Sequence, residues 1–224
     1  MKRKIDFKAN LIFDKMKPMT AYKTAEDGLS YPVTLDMRDL VLKTEDQGAT
    51  DMCAAYTATS WIESILWRKT GKPVDFDPKS LYAKAKTIDG MPNTPGTTLD
   101  AVLYAMIDLG WIPGGKRDDV VLFYTANQLK RAIHRYGTCL LGFSITEKWT
   151  KHFGRLVFSD ASGRNLGGHA VICTGYNDVG VFIQNSWGED WGKYGFACLS
   201  WDLFNKQFIV GAYMKNCLND IEAK

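Results

Sequence analysis

The stretch Asn185-Ser186-Trp187-Gly188-Glu189-Asp190-Trp191-Gly192-Lys193-Tyr194-Gly195 (NSWGEDWGKYG) follows an apolar run, Val181-Phe182-Ile183, and sets an amide side chain where that strand ends. An asparagine so placed can hydrogen-bond a histidine ring and fix which nitrogen carries the proton. It is equally at home as the turn residue after a strand, with Trp187 and Trp191 serving as core. What decides between the two is whether a histidine and a nucleophile stand elsewhere in suitable settings.

There are three histidines. His169 enters a strand directly after Gly167 and Gly168, so backbone can approach its ring closely. His134 lies in a helical stretch that alternates charged and apolar residues, and His152 sits among Lys148, Lys151 and Arg155; a solvated surface is expected for both. Among the five cysteines, Cys53 falls where a helix begins. Ala58, Trp61, Ile62, Ile65 and Leu66 follow the i, i+3, i+4, i+7, i+8 spacing of one helix face. Thr50 or Asp51 is the candidate N-cap, and Gly71 and Pro73 end the helix after Arg68 and Lys69. A first-turn position offers the sulfur unpaired N–H groups and a partial positive charge, which favour a thiolate. Taken singly, though, a cysteine there is more often a small packed residue.

The chain's 46% apolar content supports a substantial core. Its 28 basic and 25 acidic residues nearly cancel, with the excess near Met1 to Lys4 and Lys15 to Lys17 rather than along a stripe, so no nucleic-acid partner is expected. The odd cysteine count without a C-x-x-C pair points to neither a disulfide framework nor a zinc knuckle. IDFKANLIFDKMK is broken by charges too often for a signal-peptide core, and no apolar run is long enough to span a bilayer. The expectation is a cytoplasmic monomer with no membrane partner, no metal and no cofactor. Two further helices are predicted from Thr98 to Gly110 and from about Thr125 to Gly137. Beyond Gly137, TCLLGFSI, HAVICTGY, GVFIQNSW, YGFACLS and QFIVGAYM read as strands. Helices first and antiparallel strands second predict an α+β chain of two lobes with a cleft between them.

The order Gln47, Cys53, His169, Asn185, with QG six positions before the cysteine, GHAV around the histidine and NSWG-x-x-WG-x-x-G at the end, resembles the papain-like cysteine peptidases. Asn185 follows His169 by 16 positions, which suits that family. The resemblance runs from about Tyr31 to Cys217. It implies a papain-like fold, a helical lobe over about 36–137 and an antiparallel, barrel-like β lobe over about 138–224. It also implies a thiolate–imidazolium pair of Cys53 and His169, held by Asn185, screened by Trp187, with Gln47 and the Cys53 N–H as the oxyanion hole. The implied activity is hydrolysis of peptide bonds in a peptide or protein substrate. An impaired scaffold that binds extended peptides, or an acyltransferase with the same nucleophile, stays open as an alternative.

Several positions depart from the family pattern. Thr50-Asp51-Met52-Cys53-Ala54 shares only the nucleophile with C-G-[SA]-C-[WY]. The 116 positions from Cys53 to His169 fall short of the roughly 130 to 150 usual in the papain group. Asp51 stands where a glycine usually lines the substrate channel, and is expected to narrow it or to favour a basic residue before the scissile bond. The resemblance further implies substrate contacts at Gly96 and Thr97 through backbone hydrogen bonds, at Gly168 and Ala170 on the opposite wall, and at Lys215 near the pocket floor. Residues 1–30 are read as an N-terminal extension, a partial plug of the cleft or a surface arm, before a peptidase domain over 31–224.

Overall fold

The structure, a computed structural model, describes residues 8–12, 30–42, 44–215 and 217. Helix α1, Cys53–Thr70, is buried along most of its length and ends on Gly71 in the left-handed conformation, whose N–H closes on the Trp67 carbonyl. Its N-cap is Met52, with no side-chain cap, in place of the expected Thr50 or Asp51. Tertiary contacts explain the difference: the Thr50 hydroxyl donates to the Gln47 carbonyl, and the Asp51 carboxylate is drawn to Asn10. Helix α2, Pro78–Lys86, was not foreseen; Asp77 caps it by accepting from the N–H groups of Lys79 and Ser80. Helices α3, Leu99–Asp108, and α4, Ala126–Tyr136, start on Thr98 and Thr125 caps as expected. A short α5, Trp201–Gln207, is capped by Ser200.

The strands are β1 Leu35–Asp36, β2 Val120–Phe123, β3 Cys139–Thr146, β4 Val157–Phe158, β5 Asn165–Tyr176, β6 Gly180–Gln184, β7 Phe196–Ser200 and β8 Phe208–Met214. They form one sheet in the order β2-β8-β3-β5-β6-β7-β4, with β1 on β5; every pairing is antiparallel except β4 with β7. All five runs predicted after Gly137 are strands. The strand β2 lies within the stretch expected to be helical, and it joins the sheet through β8.

Alternation along β3 and β5 separates two apolar cores. Leu140, Ala170 and Ile172 belong with Trp61, Ile62 and Leu103 under α1 and α3. Leu141, Val171 and Cys173 belong with Trp149, Trp187, Trp191 and Phe204 on the other side. Both sets are almost fully buried, so truncating a side chain such as Leu103 to alanine costs roughly 2–5 kcal/mol. Trp61 also donates its indole N–H to the Thr138 carbonyl at 2.8 Å, which pins α1 to the start of β3. Among the described residues no helix is long and apolar enough to cross a membrane.

Candidate active site

Helix α1 packs on β5, with Cys53 at the start of the helix and His169 within the strand. Cys53 is the first residue of α1, and the backbone N–H groups of Ala170, Asn10 and Ala54 favour its thiolate. Ala170 is the next residue after His169 on β5. His169 Nε2 lies 2.7 Å from Asn185 Oδ1. That oxygen also accepts from the Ser186 N–H at 2.8 Å, which fixes the amide orientation and makes Nε2 the protonated nitrogen. Nδ1 is buried and has no hydrogen-bond partner among the described residues. Trp187 lies against the imidazole, ring centroids 4.4 Å apart, and Trp149 meets it edge-on at 6.2 Å.

Gln47 is buried and tied to the same segment. Its N–H donates to the Ser186 carbonyl at 2.9 Å, and its Oε1 accepts from the Ser186 hydroxyl at 2.9 Å. The amide nitrogen donates to the Thr50 carbonyl at 3.0 Å and to the Lys8 carbonyl at 3.4 Å. Ser186 thus orients both Gln47 and Asn185. The sequence carried it inside the NSWG run, but nothing there announced its role.

Residues 8–12 form a strap through the cleft. Leu11 is bridged to Thr97 in parallel sense and to Gly168 in antiparallel sense. Its N–H donates to the Gly168 carbonyl at 2.7 Å, and the Ile12 N–H donates to the Thr97 carbonyl at 3.1 Å. Gly96 packs directly on the strap: a Cβ there would lie 1.4 Å from the Asn10 carbonyl oxygen, and Gly96 itself has a φ of 84°. A Cβ on Gly167 would lie 2.7 Å from the Ala9 oxygen. The strap covers the nucleophile, and Cys53 is 1% exposed.

This enclosure sets the electrostatics. Burial pushes the Cys53 thiol up, against the three N–H groups that favour its thiolate, and the nearby Asp51 charge pushes weakly in the same direction as burial. Burial also pulls His169 down to about 4, with the Asn185 bond working in the opposite sense. Under the strap both shifts favour neutral thiol and neutral imidazole over the expected ion pair.

The Gly96–Thr97 wall is braced from behind. Lys86 reaches the buried Asp89 at 2.7 Å and the carbonyls of Thr94 and Gly96 at 2.8 and 2.9 Å, while the Thr97 hydroxyl donates to Asp89 at 2.9 Å. One expectation is corrected. His152 is buried rather than solvated, stacked on Phe158 at 4.5 Å and edge-on to Trp191 at 5.5 Å, because the charged residues flanking it leave its ring inside an aromatic cage. Lys215 stands beyond β8, where its N–H closes on the Asp119 carbonyl.

Comparison with known proteins finds similarity to cysteine proteases. A model of the papain family of cysteine proteases matches residues 116–209. Chicken cathepsin K is 26% identical over 199 residues, covering 75% of this chain and 59% of its own length. The rice oryzain gamma chain is 24% identical over 205 residues, covering 76% of this chain and 55% of its own. The chain therefore spans a little over half the length of these curated relatives. In fold, procathepsin B S9 from Trypanosoma congolense superposes with a TM-score of 0.69 at 14% identity, over 93% of this chain and 86% of that one. Xylellain, a cysteine protease from Xylella fastidiosa, gives 0.67 at 18% identity, over 96% and 98%. The fold is the α+β papain-like fold. In sequence the chain is similar to the papain family of cysteine proteases.

Proposed function

We propose that this chain hydrolyses peptide bonds by thiol catalysis at Cys53. The observation that carries the reading is the placement of His169: Nε2 is committed to Asn185, Nδ1 has no hydrogen-bond partner among the described residues, and the N–H of the adjacent Ala170 is one of the groups that favour the Cys53 thiolate. In the proposed reaction, transfer of the thiol proton to Nδ1 gives thiolate and imidazolium. The sulfur attacks the substrate carbonyl carbon, and the oxygen takes up the negative charge facing the Gln47 amide and the unpaired Cys53 N–H at the start of α1. Nδ1–H protonates the leaving amine as the C–N bond breaks. It then removes a proton from water, which attacks the thioester and releases the carboxylic acid.

The strap supports an extended peptide as substrate, since it is a peptide already paired by backbone bonds to both walls. In this reading residues 8–12 also keep the described state closed, and a substrate must displace them. The test is digestion of a peptide library, with iodoacetamide labelling at mildly acidic pH in parallel. We expect cleavage and preferential alkylation of Cys53, both absent in Cys53→Ala. Labelling with no preference for Cys53 over the other four thiols would sink the reading.

A further inference from the structure

Asp51 is the residue at the cleft that the chemistry above leaves without a task. It precedes α1 but does not cap it, so its carboxylate is not occupied by the helix. Its hydrogen bond and its ion pair among the described residues both come from the strap: Asn10 Nδ2 donates to Oδ1, and the Lys8 ammonium lies 3.7 Å from the same oxygen. The position of Asn10 gives this meaning. Its backbone N–H is one of the groups that favour the Cys53 thiolate, its carbonyl is pressed on Gly96, and the next residue bridges Thr97 and Gly168. Asn10 is thus the strap residue seated over the nucleophile, and the side chain of a residue seated there is received by Asp51. The carboxylate is a quarter exposed, 26%, so a charged partner can reach it without full dehydration.

We propose that Asp51 is a specificity residue, one that takes the cationic side chain of a substrate lysine or arginine adjoining the scissile bond. In the closed chain the same carboxylate anchors the strap. The assignment rests on the thiol-peptidase reading. A carboxylate accepts hydrogen bonds and cannot donate, so at neutral pH it admits ammonium, guanidinium or amide groups and repels an acidic side chain. The strap meets this rule twice, with an amide at Asn10 and an ammonium at Lys8.

The test uses the full chain and dipeptidyl chloromethyl ketones that differ only in the residue beside the ketone, lysine against glutamate. The Cys53 thiolate displaces chloride, forming a C–S bond, so labelling reads recognition without requiring turnover. Iodoacetamide, which carries no side chain, reports the intrinsic reactivity of the same thiol. We expect the lysine reagent to label Cys53 roughly three- to tenfold faster than the glutamate reagent, and Asp51→Asn and Asp51→Ala to erase that ratio. Asn10→Ala should keep the ratio while raising the iodoacetamide rate, because it loosens the strap and leaves Asp51 in place. Thermal melts check that each variant is folded. Selective iodoacetamide labelling with a lysine-to-glutamate ratio near one, or with a ratio unchanged in both Asp51 variants, overturns this assignment alone. Unselective labelling of Cys53 overturns the peptidase reading and this assignment with it.

Discussion

The two walls of the cleft are built on different principles. The wall carrying Gly168, His169, Asn185 and Trp187 is sheet: β5 is paired on both sides, and each catalytic group is wedged by aromatic rings or an amide. The wall carrying Asp51, Cys53, Gly96 and Thr97 is a helix start and a loop, held by the Lys86–Asp89 brace. One wall fixes side chains by packing; the other presents backbone and charge and leans on a few polar contacts. The difference teaches where precision is required. A general base must keep a nitrogen in position, so its support is rigid, whereas a surface that receives varied peptides can be backbone with little side-chain relief.

The largest expected effects should strike both walls alike. His169→Ala and Cys53→Ala should each lower turnover by roughly 10^4-fold or more, because the two act as one unit, and the double variant should be scarcely worse. If the double variant were far worse than either single one, the walls would be acting independently. Gln47→Ala tests the tie between them. We expect kcat to drop by roughly 10^2- to 10^3-fold with little change in binding, the signature of a lost oxyanion donor.

Acid should open the sheet wall first. A base held near 4 in the folded state and near 6.5 when free binds fewer protons when folded, so its stability is fully present above about 6.5 and is lost as pH falls towards about 4. The loss amounts to about 3 kcal/mol if the strap stays shut. Thermal melts across that range should show it, with a shallower slope in His169→Gln, and Cys53 labelling per molecule should rise as the strap yields. The helix wall should respond instead to Asp89→Asn. Leaving Lys86 without its carboxylate should cost up to about 3 kcal/mol of stability and raise KM several-fold with kcat nearly unchanged. A drop in kcat alone would mean that the brace acts on the nucleophile rather than on the substrate strip.

How legible each wall was in the sequence follows from the same contrast. Asn185, Trp187 and His169 were readable because a strand that ends in an amide and two glycines before a histidine leave dense local signals. The caps at Thr98 and Thr125 were readable for the same reason. Asp51 was misread as a cap because its partner, Asn10, lies 41 positions away. Helix α2 escaped notice because only Leu81 and Ala85 along it are buried, too few to establish a period. His152 was misjudged from its charged neighbours, while Phe158 and Trp191, which bury it, come from other elements. The strap was the least legible part of the site. IDFKANLIFDKMK has no fixed period, and among the described residues the backbone pairing of Leu11 and Ile12 comes from Thr97 and Gly168, far along the chain.

Because the strap belongs to the same covalent chain as the cleft it fills, its local concentration is set by the tether and not by how much protein is in the tube. Dilution will therefore not uncover Cys53, and an incoming peptide competes with a rival that never diffuses away. Weakly held peptides will pass unnoticed at ordinary concentrations, so the connection between strap and body acts as an affinity threshold written into the backbone.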